Sequence, residues 1–200
     1  MYKNIIASPT PLLIEHIGMF SEAPSHSRGV IRYLVEGLQK GQLSVYHSMH
    51  NIVKGHQKTL LSQIAKLINY EEKSFMIIGN SDRYFVSAAC DNLKPFEDLK
   101  KQITQKAKAE NKTEIRIVTD YADFLFNYKH FDQCFALEEW WEQTIEEWKK
   151  NYGLNVSIIC LFCTHKFDSI PYKYHRYRIT NNHGIVCDAE GKVFHTTSSF

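Results

Sequence analysis

Two hundred residues of ordinary globular composition suffice for one domain with a sizeable core and no staples. Twenty-four basic against 22 acidic residues leave a formal charge of +2, so net charge gives no reason to expect a polyanionic partner and a nucleic-acid contact would have to rest on a local patch. The five cysteines (Cys90, Cys134, Cys160, Cys163, Cys187) are odd in number, Met1–Leu13 has no signal-peptide pattern, and apolar runs such as Val156–Cys163 fall far short of the roughly 20 residues that span a bilayer; reduced thiols in a cytoplasmic protein without a membrane partner are therefore expected.

In chain order, His16–Phe20 reads as a strand. The loop after it, Ser21-Glu22-Ala23-Pro24-Ser25-His26-Ser27-Arg28-Gly29, lacks GxxxxGK[ST], the sequence whose backbone N–H groups and lysine hold phosphate in nucleotide-binding α/β proteins. Val30, Ile31, Leu34, Val35 and Leu38 recur at helical spacing before Gly41, which predicts a helix over 26–39. A strand over 43–47, a helix near 52–68 and a buried strand over 75–78 follow. Pro95 opens a further helix with Phe96, Leu99, Ile103 and Ala107 inward and its lysines in solvent. Glu114–Asp120 is a strand ending in an acid, residues 131–150 form a long helix, and Asn155–Phe162 is the clearest strand of the chain. Two short strands are expected in the tail, over 176–180 and 184–194, the second broken by a hairpin connection at Asp188-Ala189-Glu190-Gly191. Alternating strands and helices predict an α/β fold, a three-layer sandwich around a mostly parallel sheet with a short C-terminal β-hairpin. Residues 1–13 read as an extension and 14–200 as a single domain.

Glu138 breaks the pattern of the long helix. It lies within the apolar stripe Phe131, Cys134, Phe135, Trp141, Ile145 and Trp148, where a carboxylate costs several kcal/mol unless paired. It is either half of a structural ion pair or the acid of a pocket, and a phase error of one residue would give that place to Glu139. Asp120 stands where open α/β sheets present residues to ligands, and it equally suits an N-cap for the next segment. Cys160, Cys163 and His165 suggest a zinc pair, but no second pair follows, and residues three apart in a strand face opposite ways, so the thiols are expected to act as small hydrophobes. A Cys–His hydrolase would need a nucleophile turn or helix start to lower a thiol pKa, and neither is visible. Tyr172–Arg178 interleaves rings with positive charge, the composition that binds single-stranded nucleic acid through Tyr174, Arg176 and Arg178.

Several segments, in order, resemble one family: His16-Ile-Gly-Met-Phe20, Leu34-Val-Glu-Gly-Leu-Gln-Lys-Gly-Gln-Leu-Ser-Val-Tyr46, Ile115-Arg-Ile-Val-Thr-Asp120, the acid at Glu138 or Glu139, Ile158-Ile-Cys-Leu-Phe162 and His183-Gly-Ile-Val. Over approximately residues 14–193 the chain is similar to the MEDS domain, the methanogen/methylotroph and DcmR sensory domain, itself similar to RecA-like and KaiC-like ATPase cores that lack the phosphate loop. The resemblance implies a RecA-like sheet and a non-catalytic module that senses a small organic, even apolar, ligand for signal transduction or transcription regulation. The chain departs from the family in having no effector module, a glycine in place of the proline after His183 and a longer helix before the next strand. Output would then pass through a partner protein or self-association. The expected pocket at the carboxyl ends of the strands uses His16, Phe20, Tyr46, Asp120, Glu138 and Cys160, with His16 and Glu138 paired across it, and no catalytic residue, metal or cofactor. The alternatives are a degenerate nucleotide binder with residual ATPase activity, and a single-stranded nucleic-acid binder using 172–178.

Overall fold

The central strands of the sheet are nearly continuous apolar runs because both of their faces are covered. The computed structural model describes residues 16–22, 28–49, 55–69, 74–79, 81–164, 172–190 and 192–196. The 1–13 extension, residues 23–27 of the first loop and His165 lie outside them. The elements are β1 (His16–Ser21), α1 (Arg28–Gln39), β2 (Leu43–His47), α2 (His56–Leu67), β3 (Phe75–Ile77), α3 (Ser81–Ala89), α4 (Lys94–Ala109), β4 (Glu114–Thr119), α5 (Tyr121–Asn127), α6 (Phe131–Tyr152), β5 (Asn155–Cys163), α7 (Lys173–Asn181), β6 (Ile185–Asp188) and β7 (Val193–Thr196).

Seven strands form one sheet in the order β3-β2-β4-β5-β1-β6-β7. The first six are parallel, and β7 pairs antiparallel with β6 at the edge. Period-two alternation divides the side chains between two cores. Phe20, Val45, Ile117, Ile158, Cys160 and Phe162 pack with α3–α7 on one face. Ile17, Met19, Tyr46, Val118, Ile159 and Leu161 pack with α1 and α2 on the other. This is the three-layer α/β sandwich with a mostly parallel sheet and C-terminal hairpin that the sequence predicts.

Local chemistry sets the element ends. Gly41 and Gly153 take left-handed φ values of 73° and 63° just after α1 and α6, a conformation that costs a residue with a Cβ. Pro95 lies in the first turn of α4, where its missing N–H is harmless. The hairpin turn is held by Asp188, whose Oδ1 accepts from the backbone N–H of Glu190 at 3.1 Å and of Lys192 at 2.7 Å.

Two helices, α3 and α5, add to the expected order, and the 176–180 strand is corrected: residues 173–181 form α7. Tyrosines and β-branched residues favour a strand there, but Tyr172, His175 and Ile179 recur at helical spacing. His175 stacks on Phe131 at 4.2 Å, and Ile179 enters the core. Tertiary packing overrides a weak local preference. No helix among the described residues is long and apolar enough to cross a membrane.

Candidate functional site

β1 and β5 are neighbours in register, with Gly18 opposite Cys160. Their carboxyl ends lead to opposite faces, to α1 beside one core and to α7 beside the other, so the chain changes direction at this pair. Alternation along β1 turns His16 and Phe20 toward the α6 side, and the same alternation in β5 turns Cys160 there. The stripe of α6 turns Glu138 down onto them, only 1% exposed. His183, which follows α7, supplies the fourth side chain and is fully buried.

The four side chains converge. Glu138 Oε2 lies 3.0 Å from His16 Nε2 and 3.0 Å from His183 Nε2. His16 Nε2 is 3.3 Å from Cys160 Sγ, and the two imidazole centroids are 4.3 Å apart. His183 Nδ1 lies 2.7 Å from the carbonyl oxygen of Ile179. A carbonyl only accepts, so Nδ1 carries a proton and Nε2 is the atom presented to Glu138. Glu138 Oε1 and His16 Nδ1 have no hydrogen-bond partner among the described residues.

Electrostatics follow from this packing. Burial pushes Glu138 up, but the facing His183 and His16 outweigh it and hold the carboxyl well below the usual carboxylate range. Burial, reinforced by His183, pushes His16 below its ordinary value against the pull of Glu138. Burial, reinforced by Glu138, pushes the Cys160 thiol well up. A thiol so placed is no ready nucleophile.

Around this cluster Phe20 stacks on Phe162 with centroids 5.2 Å apart, and the edge of Phe162 meets His183 at 5.7 Å. The structure thus brings His16, Phe20, Glu138 and Cys160 to one place, with His16 and Glu138 paired. Glu139, on the outer side of α6, is 3.7 Å from Arg178 instead.

Tyr46 and Asp120 stand elsewhere, at the carboxyl ends of β2 and β4. Asp120 occupies the N-cap position of α5 without capping it. Its Oδ1 accepts from the Met49 N–H at 2.8 Å, and its Oδ2 accepts from the Ser48 hydroxyl. Burial raises this carboxyl to about 7. The Tyr46 ring belongs to the opposite core, where burial and then Asp120 push its phenol up. The expectation of a single pocket at the strand ends is corrected accordingly. His16 opens β1 and Cys160 is central in β5, so their cluster lies against the face of the sheet beneath α6.

Against Tyr121, the first residue of α5, packs a residue that sequence reasoning missed. His47 is fully buried, with its ring 4.5 Å from Tyr84, 5.7 Å from Phe96 and 4.3 Å from Tyr121. Neither ring nitrogen has a hydrogen-bond partner among the described residues, and burial lowers its pKa to about 3. His183 was also missed as a site residue; its signal is the histidine that ends the resemblance.

Cys163 does not join Cys160: its Sγ donates to the Glu22 carbonyl at 3.7 Å. On α7, Tyr174 is 69% exposed, while Arg176 lies 5.6 Å from the Phe20 ring centroid and Arg178 lies 4.0 Å from that of Phe135. No protein-family model matches the chain, and no curated protein sequence matches it.

Proposed function

We propose that this chain is a non-catalytic, small-molecule-sensing domain on a RecA-like core that signals through a partner protein or by self-association. One observation carries the reading: a buried carboxylate at the β1–β5 crossover is shared by two imidazoles and bordered by a high-pKa thiol and an aromatic stack. Such a cluster offers polar anchors beside an apolar wall, and it lacks the lowered pKa that a cysteine nucleophile needs. The Phe20–Phe162 pair would take the apolar body of a ligand and the His16–Glu138 pair its polar end. A buried group linking a helix to two strands is also suited to passing occupancy on to packing.

The test is a thermal-shift panel of short-chain alcohols, amines and carboxylic acids, with mass spectrometry of small molecules that copurify. A ligand at 100 times its Kd stabilises by about 2.7 kcal/mol, and Glu138→Gln should reduce that shift. A shift with ATP and magnesium but with none of the organic panel would favour the degenerate nucleotide binder and overturn the sensing reading. The nucleic-acid reading has less support, because both arginines lie on the protein's own aromatic rings.

A further inference from the structure

We propose that His16, Glu138, Cys160 and His183 form a four-coordinate site for a divalent transition-metal ion of the zinc class. The site is built from the cluster that also carries the organic-ligand reading, but the argument for it does not use that reading. It rests first on convergence: one donor atom from each of these four buried residues lies within 4.8 Å of every other. A tetrahedral zinc site holds nitrogen and oxygen donors at roughly 2.0–2.2 Å and sulfur at about 2.3 Å, which places the donors about 3.3–3.8 Å from one another. Three of the six separations, 3.0, 3.0 and 3.3 Å, would have to open by a few tenths of an ångström, and none of the others exceeds 4.8 Å.

The donor set is the second argument. Two imidazoles, a carboxylate and a thiolate match the borderline-soft preference of zinc, whereas calcium and magnesium call for oxygen shells. Their charges also match. Carboxylate and thiolate together carry −2, the neutral imidazoles add nothing, and a divalent cation brings the site to zero in a core where residual charge is costly. Binding releases the Cys160 thiol proton to solvent as the metal–sulfur bond forms, with no change of oxidation state.

The third argument is orientation. The Nδ1–H of His183 donates to the Ile179 carbonyl, so Nε2 is the ring atom turned toward the Glu138 oxygen 3.0 Å away. A proton on Nε2 satisfies that contact, and a metal ion that displaces the proton would find both atoms already turned toward it. A backbone carbonyl on the far nitrogen is how metal-binding histidines are commonly held. Gly18 completes the arrangement, since a Cβ there would lie 3.2 Å from His183 Cγ.

Cobalt substitution tests the site directly. Chelator-treated, reduced full-length protein is titrated with Co2+ alone, then with Zn2+ in competition with a chromophoric chelator, and bound metal is counted by elemental analysis. The expected result is one ion per chain, intense visible bands of a tetrahedral centre and a thiolate-to-cobalt charge-transfer band. Cys160→Ser should abolish that band and weaken Zn2+ binding at least about 100-fold, while Cys163→Ser should leave both unchanged. Folded wild-type protein without the thiolate band, or a Cys160→Ser variant that keeps wild-type affinity, overturns the proposal. Should Cys160→Ser not fold, the wild-type spectrum and the Cys163→Ser control decide it. No organic ligand enters the test, so its failure leaves the sensing reading standing.

Discussion

His183 rests on the backbone of Gly18: a Cβ at position 18 would come within 3.2 Å of its Cγ and 3.3 Å of its Cδ2. The absence of a side chain on β1 is what lets the imidazole lie against the sheet and reach Glu138. Gly18→Ala must therefore push His183 aside by a few tenths of an ångström, with an expected loss of about 1–3 kcal/mol. Urea unfolding checks it; a variant as stable as the parent would show that the ring has room to give.

Glu138 is the shared partner of two buried imidazoles. Removing one side of a buried ionic contact typically costs about 3–5 kcal/mol, because the groups left behind remain out of water. Glu138→Ala should fall in that range and Glu139→Ala near zero, the latter being half exposed beside Arg178. Equal melting temperatures for Glu138→Ala and wild type would mean that the carboxylate does not sit in the core.

His47 gives an acid-side prediction. Its folded pKa, about 3, lies below the ordinary 6.5, so the folded state binds fewer protons than the unfolded chain between those values. Its stability contribution is full above pH 6.5 and is lost as pH falls toward 3, at up to about 1.4 kcal/mol per pH unit. His47→Phe keeps a ring among Tyr84, Phe96 and Tyr121 and removes the titration. Its melting-temperature advantage should widen from pH 7 to pH 4, and parallel curves would refute the assignment.

Asp120 works in the opposite sense. Its folded pKa, about 7, lies above the ordinary 3.8, so the folded state binds more protons between them, and the associated stability is present below pH 3.8 and lost as pH rises through 7. Asp120→Asn retains an acceptor for the Met49 N–H and cannot ionise. Relative to wild type it should gain stability from pH 4 to pH 8, measured as the difference between the two thermal curves. The two residues oppose each other across the range they share, so single variants should reveal slopes that wild type conceals.

The strands were readable because a sheet covered on both faces demands unbroken apolar runs such as Ile158–Phe162. Glu138 stood out because a carboxylate interrupts an apolar stripe, and its pairing with His16 follows from the need to satisfy it. α7 was not readable, since Tyr172 at its N-cap and His175 on its inner side also suit a strand or a polar surface, and only packing on Phe126 and Phe131 turns them to the core. The split of Asp120 and Tyr46 from His16 was hidden for another reason. Tyr46 stands level with Ile17 and is parted from His16 by the face it takes, and the alternation of one strand does not say which of the two cores each face meets.

The turn that holds His183 is also the root of the edge hairpin. Gly184 N–H donates to the His16 carbonyl at 3.1 Å, and β6 begins at the next residue and carries β7 on its outer side. A shift of the imidazole as its hold on the carboxylate changes therefore has a short mechanical lever to the rim of the molecule. The buried imidazole and the border hairpin are thus joined both through Gly184 and through the β1–β6 ladder, so the two cannot move independently.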